Sequence, residues 1–168
     1  MAFQETGIPT EGTYQEHVLH QDNVVAIVHP GNKAKGLTLG QFADILSGKI
    51  TNWKDVGGAD GRIVVVAPPL SSGTRAFVRD SVMKGAEYVA NAYVTVTDRE
   101  AIDIVAQSPI AIGMLSEGFV RMNNGRVKVL KTPPMKRQLS IITRDEPTPE
   151  LKAVIQFLKS KEAKKLFR

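Results

Sequence analysis

The sequence predicts an α/β protein built on a largely parallel sheet. Residues 24–28, which His29 follows, and residues 63–67 are continuous apolar runs rich in β-branched side chains, as expected of strands that are buried on both faces of a sheet. Such runs alternate along the chain with segments whose apolar residues recur at helical spacing. The 168 residues are enough for one domain of ordinary size, or for two small lobes that share a hinge.

The first third of the chain contains an arm, a strand and a helix. Residues 1–16 include Gly, Pro and few apolar side chains, which predicts an irregular arm. The first core strand covers residues 24–29. Thr38 then begins a helix, because Gln41 three residues later completes a capping box, and Gly48 ends that helix.

The rest of the chain repeats this alternation of strands and helices. The Thr97 and Glu100 pair predicts a second capping box, and Thr148-Pro149 predicts the start of a late helix. The further predicted elements are a strand at 62–67, a helix ending at Gly85, strands at 93–96 and 110–114, a helix at 115–121, strands at 127–130 and 138–143, and a last helix from about residue 160.

The segment Ser71-Ser72-Gly73-Thr74-Arg75 connects a strand to a helix. A helix begins with unpaired backbone N–H groups and a partial positive charge, which together favour an oxyanion. The hydroxyls of Ser72 and Thr74 are further donors for an oxyanion, and Gly73 allows the backbone to approach it closely. The alternative is that the serine is only an N-cap with no ligand. Ligands of parallel sheets bind at the carboxyl ends of strands, where this segment lies.

Composition narrows the classes of function. The chain is 42% hydrophobic and 23% charged, without a run of the ~20 apolar residues that a membrane helix needs and without a visible secretory signal. Zero cysteines exclude disulfides and cysteine-ligated metals. A net charge of +5 suits an anionic small molecule, a nucleic acid or a membrane surface. The lysines near the C-terminus are typical of a solvated helix face, so nucleic-acid binding is not predicted.

No catalytic, cofactor or metal site is predicted. His17 and His20 lack a third ligand nearby and are interpreted as surface histidines. Asp98 and Glu100 lie where a helix begins, a position that favours negative charge for structural reasons. The nucleophile-elbow, phosphate-loop and zinc-hydrolase motifs are missing from the sequence.

Several stretches together resemble the phosphate-binding proteins of bacterial ABC importers, which have the type 2 periplasmic-binding-protein-like fold. The stretches are residues 25–32 (VAIVHPGN), 37–58 (LTLGQFADILSGKITNWKDVGG), 72–75 (SGTR), 110–113 (IAIG) and 137–139 (RQL). The resemblance covers residues 17–160. It implies that this chain lacks the N-terminal segment of the usual family member. It implies one complete lobe, with a mainly parallel sheet flanked by helices, plus part of a second lobe. The implied division is an N-terminal arm and strand of the incomplete lobe at 1–32, the complete lobe at 33–114, and a return segment at 115–168.

The resemblance also implies a site and a function. In that family two lobes close around phosphate, and Ser72, Gly73 and Thr74 would donate hydrogen bonds to it, with Arg75 and Ser71 beside them. The family commonly has Arg four residues before this serine and an acidic residue two before it, whereas this chain has Pro68 and Leu70.

The implied protein is a periplasmic or extracytoplasmic solute-binding component that binds phosphate or a similar oxyanion and delivers it to a membrane permease. The alternative is a degenerate binding-protein fold that acts as an interaction or sensory module without phosphate. A further hypothesis is that two copies pair as a homodimer and cover apolar surface.

Overall fold

The computed structural model describes residues 13–123 and 125–166 of the chain, which form two compact units. The larger unit is Asn23–Met135. The smaller unit combines residues 13–22 with residues 136–166. Two strands cross the boundary, β1 (Tyr14–Val28) and β5 (Lys128–Arg144), so each unit contains part of both.

The sheet has five strands in the order β3-β2-β4-β1-β5. Strand β2 (Val64–Ala67) is parallel to both β3 (Tyr93–Val94) and β4 (Ala111–Ser116). Strand β1 is antiparallel to β4, with residues 24–28 opposite 116–112. The predicted α/β architecture with a mainly parallel sheet is therefore confirmed.

Helices begin where the sequence places caps. Thr38 and Gln41 exchange both bonds of the capping box, and Thr148 accepts a hydrogen bond from the first turn of the helix that begins at Pro149. The second predicted box is only half formed, because Glu100 accepts from the Val96 N–H rather than from that of Thr97. The helices are α1 (Leu39–Leu46), α2 (Gly73–Ser81), α3 (Asp98–Gln107), α4 (Glu117–Met122), α5 (Pro149–Lys159) and α6 (Lys161–Leu166), with a 3-10 turn at Trp53–Val56.

The larger unit has apolar side chains on both faces of its sheet. Alternate residues of each strand point to opposite faces. In β1, Val24 and Ala26 belong to the cluster that contains residues of α1 and α2. Val25 and Ile27 belong to the cluster that contains residues of α3 and α4. Helices on both faces thus fix β2 from two sides, and with it the turn that follows.

Strand β5 differs most from the prediction. The sequence predicts two strands, at 127–130 and 138–143, whereas the structure has one strand through Pro133-Pro134. The sequence predicts a break at these residues because proline cannot donate to a β ladder. Strand β5, however, is an outer strand of the sheet, where an absent N–H is tolerated. Strand β1 likewise begins at Tyr14, inside the predicted arm, while residues 1–12 lie outside the described residues.

The smaller unit is held by side chains that link its two strand segments. Arg137 donates to the Asp22 carboxylate from both Nε and Nη2, at 3.0 and 2.8 Å. His17 Nε2 lies 3.1 Å from the Thr143 hydroxyl.

The unit boundaries at residues 22/23 and 135/136 differ from the sequence-based ones at 32/33 and 114/115, because residues 24–28 pair with β4. The assignment of ranges to lobes of a binding protein remains a prediction.

Candidate functional site

The candidate site is the start of helix α2, in the larger unit. Strand β2 ends at the buried Ala67, and residues 68–72 lead to the first helical residue, Gly73. Ser72 is the N-cap in an extended conformation, and its Oγ accepts hydrogen bonds from the N–H groups of Thr74 (3.2 Å) and Arg75 (3.5 Å). The cap predicted from the sequence is therefore present, and the hydroxyl proton of Ser72 is still available to donate.

The backbone N–H of Gly73 is a first-turn donor that does not bond to the Ser72 cap. Gly73 is exposed, and within the part of the chain that the structure describes its N–H has no hydrogen-bond acceptor. Ser71, just before the cap, is also exposed. Thr74 is only 7% exposed, so its side chain is largely covered by protein in this structure. An anion would first meet the Gly73 N–H and the hydroxyls of Ser71 and Ser72.

The electrostatic setting of α2 favours an anion. Its first turn contains no acidic residue. Helix α3 provides a contrast in the same unit, because its first turn carries Asp98 and Glu100 and its cap is the analogous Thr97. Both helices have the partial positive charge of a helix N-terminus, but only at α2 is that charge not offset by carboxylates of the first turn.

Arg75 packs against the protein rather than extending outward. Its Nη1 donates to the Pro68 carbonyl at 3.1 Å, and its guanidinium carbon lies 4.3 Å from the centroid of the Tyr88 ring. The Tyr88 hydroxyl donates to the carbonyl oxygen of Arg75 at 3.2 Å. Burial raises the pKa of Tyr88 to about 12, although the nearby Arg75 charge acts in the opposite direction. The phenol is therefore neutral. The contacts with Pro68 and the Tyr88 ring hold the guanidinium of Arg75 in place beside the first turn.

The two residues that depart from the family pattern lie in the turn itself. Pro68 is buried, and its carbonyl is the acceptor for Arg75. Leu70 is 81% exposed. The turn therefore offers neither a charged donor at residue 68 nor a carboxylate at residue 70.

Sequence reasoning identified residues 71–75, which the structure brings together as one turn and helix start. It missed Tyr88, which lies 13 residues from Arg75 in the connection between α2 and β3, where no periodicity or motif marks it. Two of the other groups considered have structural partners, since Glu100 accepts from the Val96 N–H and His17 lies beside the Thr143 hydroxyl. Among the described residues no group of three or more potential ligands could hold a metal ion. None of the described helices is long and apolar enough to cross a bilayer.

A family model described as a PBP superfamily domain matches residues 3–162. The chain belongs to this superfamily. The resemblance found in the sequence is thereby confirmed, and the comparisons contain nothing that favours the alternative of an interaction or sensory module.

Among curated proteins, the chain is similar to the phosphate-binding protein PstS of Bacillus subtilis, with 29% identity over 164 residues, covering 89% of this chain and 54% of that protein. It is 27% identical to PstS of Borreliella burgdorferi, covering 86% and 59% of the two chains. The chain thus spans about half the length of the curated relatives that it matches.

Two solved structures are similar to this chain over most of its length. An ABC-type phosphate transport receptor from Vibrio cholerae has 30% identity and a TM-score of 0.77, with 94% of this chain and 71% of that chain covered. A putative phosphate ABC transporter substrate-binding protein from Clostridium perfringens, solved with bound phosphate, has 29% identity and a TM-score of 0.79, with 89% and 67% covered.

Proposed function

We propose that this chain binds inorganic phosphate or a similar oxyanion as a solute-binding component of an ABC-type import system. The observation that supports this most strongly is the start of α2, where an exposed Gly73 N–H and the Ser72 hydroxyl face no first-turn carboxylate. The relatives and solved structures that carry names of phosphate-binding proteins and receptors point to the same ligand.

Each site residue has a physical role in this proposal. The Gly73 N–H and the Ser71 and Ser72 hydroxyls donate to the anion, and Thr74 adds its hydroxyl on binding. Arg75 contributes positive charge from its place beside the Tyr88 ring. The anion is captured when two lobes close on it, since only the closed state gives it contacts from both.

We expect weaker and less selective binding than in relatives with the usual charged pair. A hydrogen bond to a charged group contributes roughly 1.5 to 3 kcal/mol, so Pro68 in place of arginine predicts an affinity about tenfold lower or more. Leu70 cannot accept the proton of a monobasic or dibasic phosphate, whereas a carboxylate there would accept it. Sulfate, which carries no proton, should therefore bind within about tenfold of phosphate.

The surrounding biology is part of the proposal. The partner is the membrane permease of the importer, and the place of action is the periplasm or another extracytoplasmic space. The role is binding without catalysis. Neither the comparisons nor the described residues favour pairing of two copies, and the homodimer stays a hypothesis.

Calorimetric titration of phosphate-free protein tests the proposal, with phosphate and sulfate as separate titrants. The double variant Ser72→Ala/Thr74→Ala should lose saturable phosphate binding. The matched control is Thr97→Ala, which removes the equivalent cap acceptor from α3 and should leave phosphate affinity unchanged. A flat titration of folded wild-type protein, or equal binding by the double variant, would overturn the assignment.

A further inference from the structure

Tyr88 connects helix α2 to strand β4 beside the candidate site. The residue is 8% exposed. The hydroxyl donates to the carbonyl oxygen of Arg75 in α2 at 3.2 Å and also contacts Met114 Sδ in β4 at 3.5 Å. A phenol has one proton, so the carbonyl is its main acceptor and the sulfur completes its packing. Tyr88 therefore ties the first turn of α2 to the central sheet.

The ring of Tyr88 also holds the Arg75 side chain. With the guanidinium 4.3 Å from the ring centroid, the two groups form a cation–π pair. The same guanidinium donates to the Pro68 carbonyl at 3.1 Å, immediately after β2. We call this chain of contacts, Pro68–Arg75–Tyr88, the Tyr88 bracket.

The Tyr88 bracket holds the first residue of the turn that presents the anion donors. Residues 69–71 run between Pro68, which Arg75 holds, and Ser72, whose hydroxyl caps the helix. With both ends held, the direction of the Gly73 N–H is set before an anion arrives. Pre-organisation of this kind improves affinity, because less conformational freedom is lost on binding.

The Tyr88 bracket also fixes the position of one positive charge. Arg75 is half-buried, and one face of its guanidinium is covered by the ring. A charge that is partly shielded from water acts over several ångströms with less screening than an exposed one. It can therefore attract an anion at the first turn while its own hydrogen bond remains with Pro68.

We propose that Tyr88 is a positioning residue of the anion site and that Arg75 acts on the anion through its held charge. The pair substitutes for charge that the turn itself lacks at residues 68 and 70. This assignment rests on the proposed phosphate binding, which it deepens by naming how the donors are oriented.

Two readouts test the assignment, namely phosphate affinity by calorimetry and amide hydrogen exchange over residues 69–75. Tyr88→Leu removes both the hydroxyl and the ring, and it should weaken phosphate binding about tenfold and accelerate exchange in this segment. Tyr88→Phe keeps the ring under the guanidinium and should retain affinity within about threefold of wild type. The matched control, Tyr93→Phe, makes the same change at an exposed tyrosine and should alter neither readout.

Arg75→Gln provides a second test that leaves Tyr88 in place. Its amide can still donate to the Pro68 carbonyl, but the charge is lost. We expect weaker phosphate binding with a reduced dependence on salt, and exchange over residues 69–75 close to that of wild type.

The outcomes separate the two claims. If wild-type protein binds phosphate but Tyr88→Leu binds it equally well, or if exchange over residues 69–75 is unchanged, the assignment of Tyr88 is overturned while the proposed function stands. If Arg75→Gln retains the wild-type affinity and salt dependence, the role of the held charge is overturned. Absence of phosphate binding by the wild-type protein overturns both the function and the assignment.

Discussion

The buried hydroxyl of Tyr88 should make the stability of this protein fall between pH 10 and about pH 12. Burial raises the pKa of Tyr88 from 10.0 to about 12 in the folded chain, while the unfolded chain keeps the ordinary value. Below pH 10 the phenol is protonated in both states, so the stabilisation is fully present. As the pH rises further, only the unfolded chain ionises, which draws the equilibrium toward it until the folded pKa is passed. At about 1.4 kcal/mol for each tenfold change, the total loss is about 3 kcal/mol.

Urea unfolding followed by circular dichroism, at intervals from pH 9 to pH 11.5, measures the part of this loss that occurs below pH 11.5. Tyr88→Phe should be less sensitive to pH above 10, because phenylalanine does not titrate. The difference between the two proteins cancels the contributions of groups that they share. Parallel stability curves for wild type and Tyr88→Phe above pH 10 would show that the pKa of Tyr88 is not raised in the folded chain.

Three further substitutions have expected costs that urea or thermal denaturation can measure. Ser72→Ala removes the acceptor of two first-turn N–H groups and should cost about 1 kcal/mol, and a cost near zero would contradict the cap. Asp22→Asn leaves Arg137, whose side chain is 18% exposed, without its carboxylate, and it should cost roughly 3 to 5 kcal/mol. A loss under about 1 kcal/mol would show that this pair is solvated like a surface pair. Gly48→Ala should cost at least about 1 to 2 kcal/mol, because φ is +80° and a Cβ would lie 2.7 Å from Val89 Cγ2; wild-type stability would be evidence against that backbone conformation.

Local signals in the sequence predicted local structure well. The Thr38 and Gln41 capping box is present with both of its bonds, since all the groups involved lie within four residues. The second capping box has only one of its two bonds, because the Glu100 side chain accepts from the Val96 N–H instead of the Thr97 N–H one residue later. The turn at 71–75 was identified because a strand, a short polar segment and a helix follow one another directly in the sequence.

Contacts between distant residues could not be predicted from the sequence in the same way. The Asp22–Arg137 pair joins residues 115 positions apart, and no pattern in either segment indicates the other. Tyr88 belongs to an irregular connection, so its hydrogen bond to Arg75 depends on how that connection folds back. Strand β5 was divided at Pro133-Pro134 because the sequence does not reveal that the strand lies at the edge of the sheet.

The most direct test of the proposed site is to follow backbone amide resonances of ¹⁵N-labelled protein while phosphate is added. We expect the Gly73 and Thr74 amides to shift strongly and saturate together, while the amides at the start of α3, beside Asp98 and Glu100, stay in place. Saturable shifts that centre elsewhere, with Gly73 unmoved, would contradict a phosphate site at the start of α2.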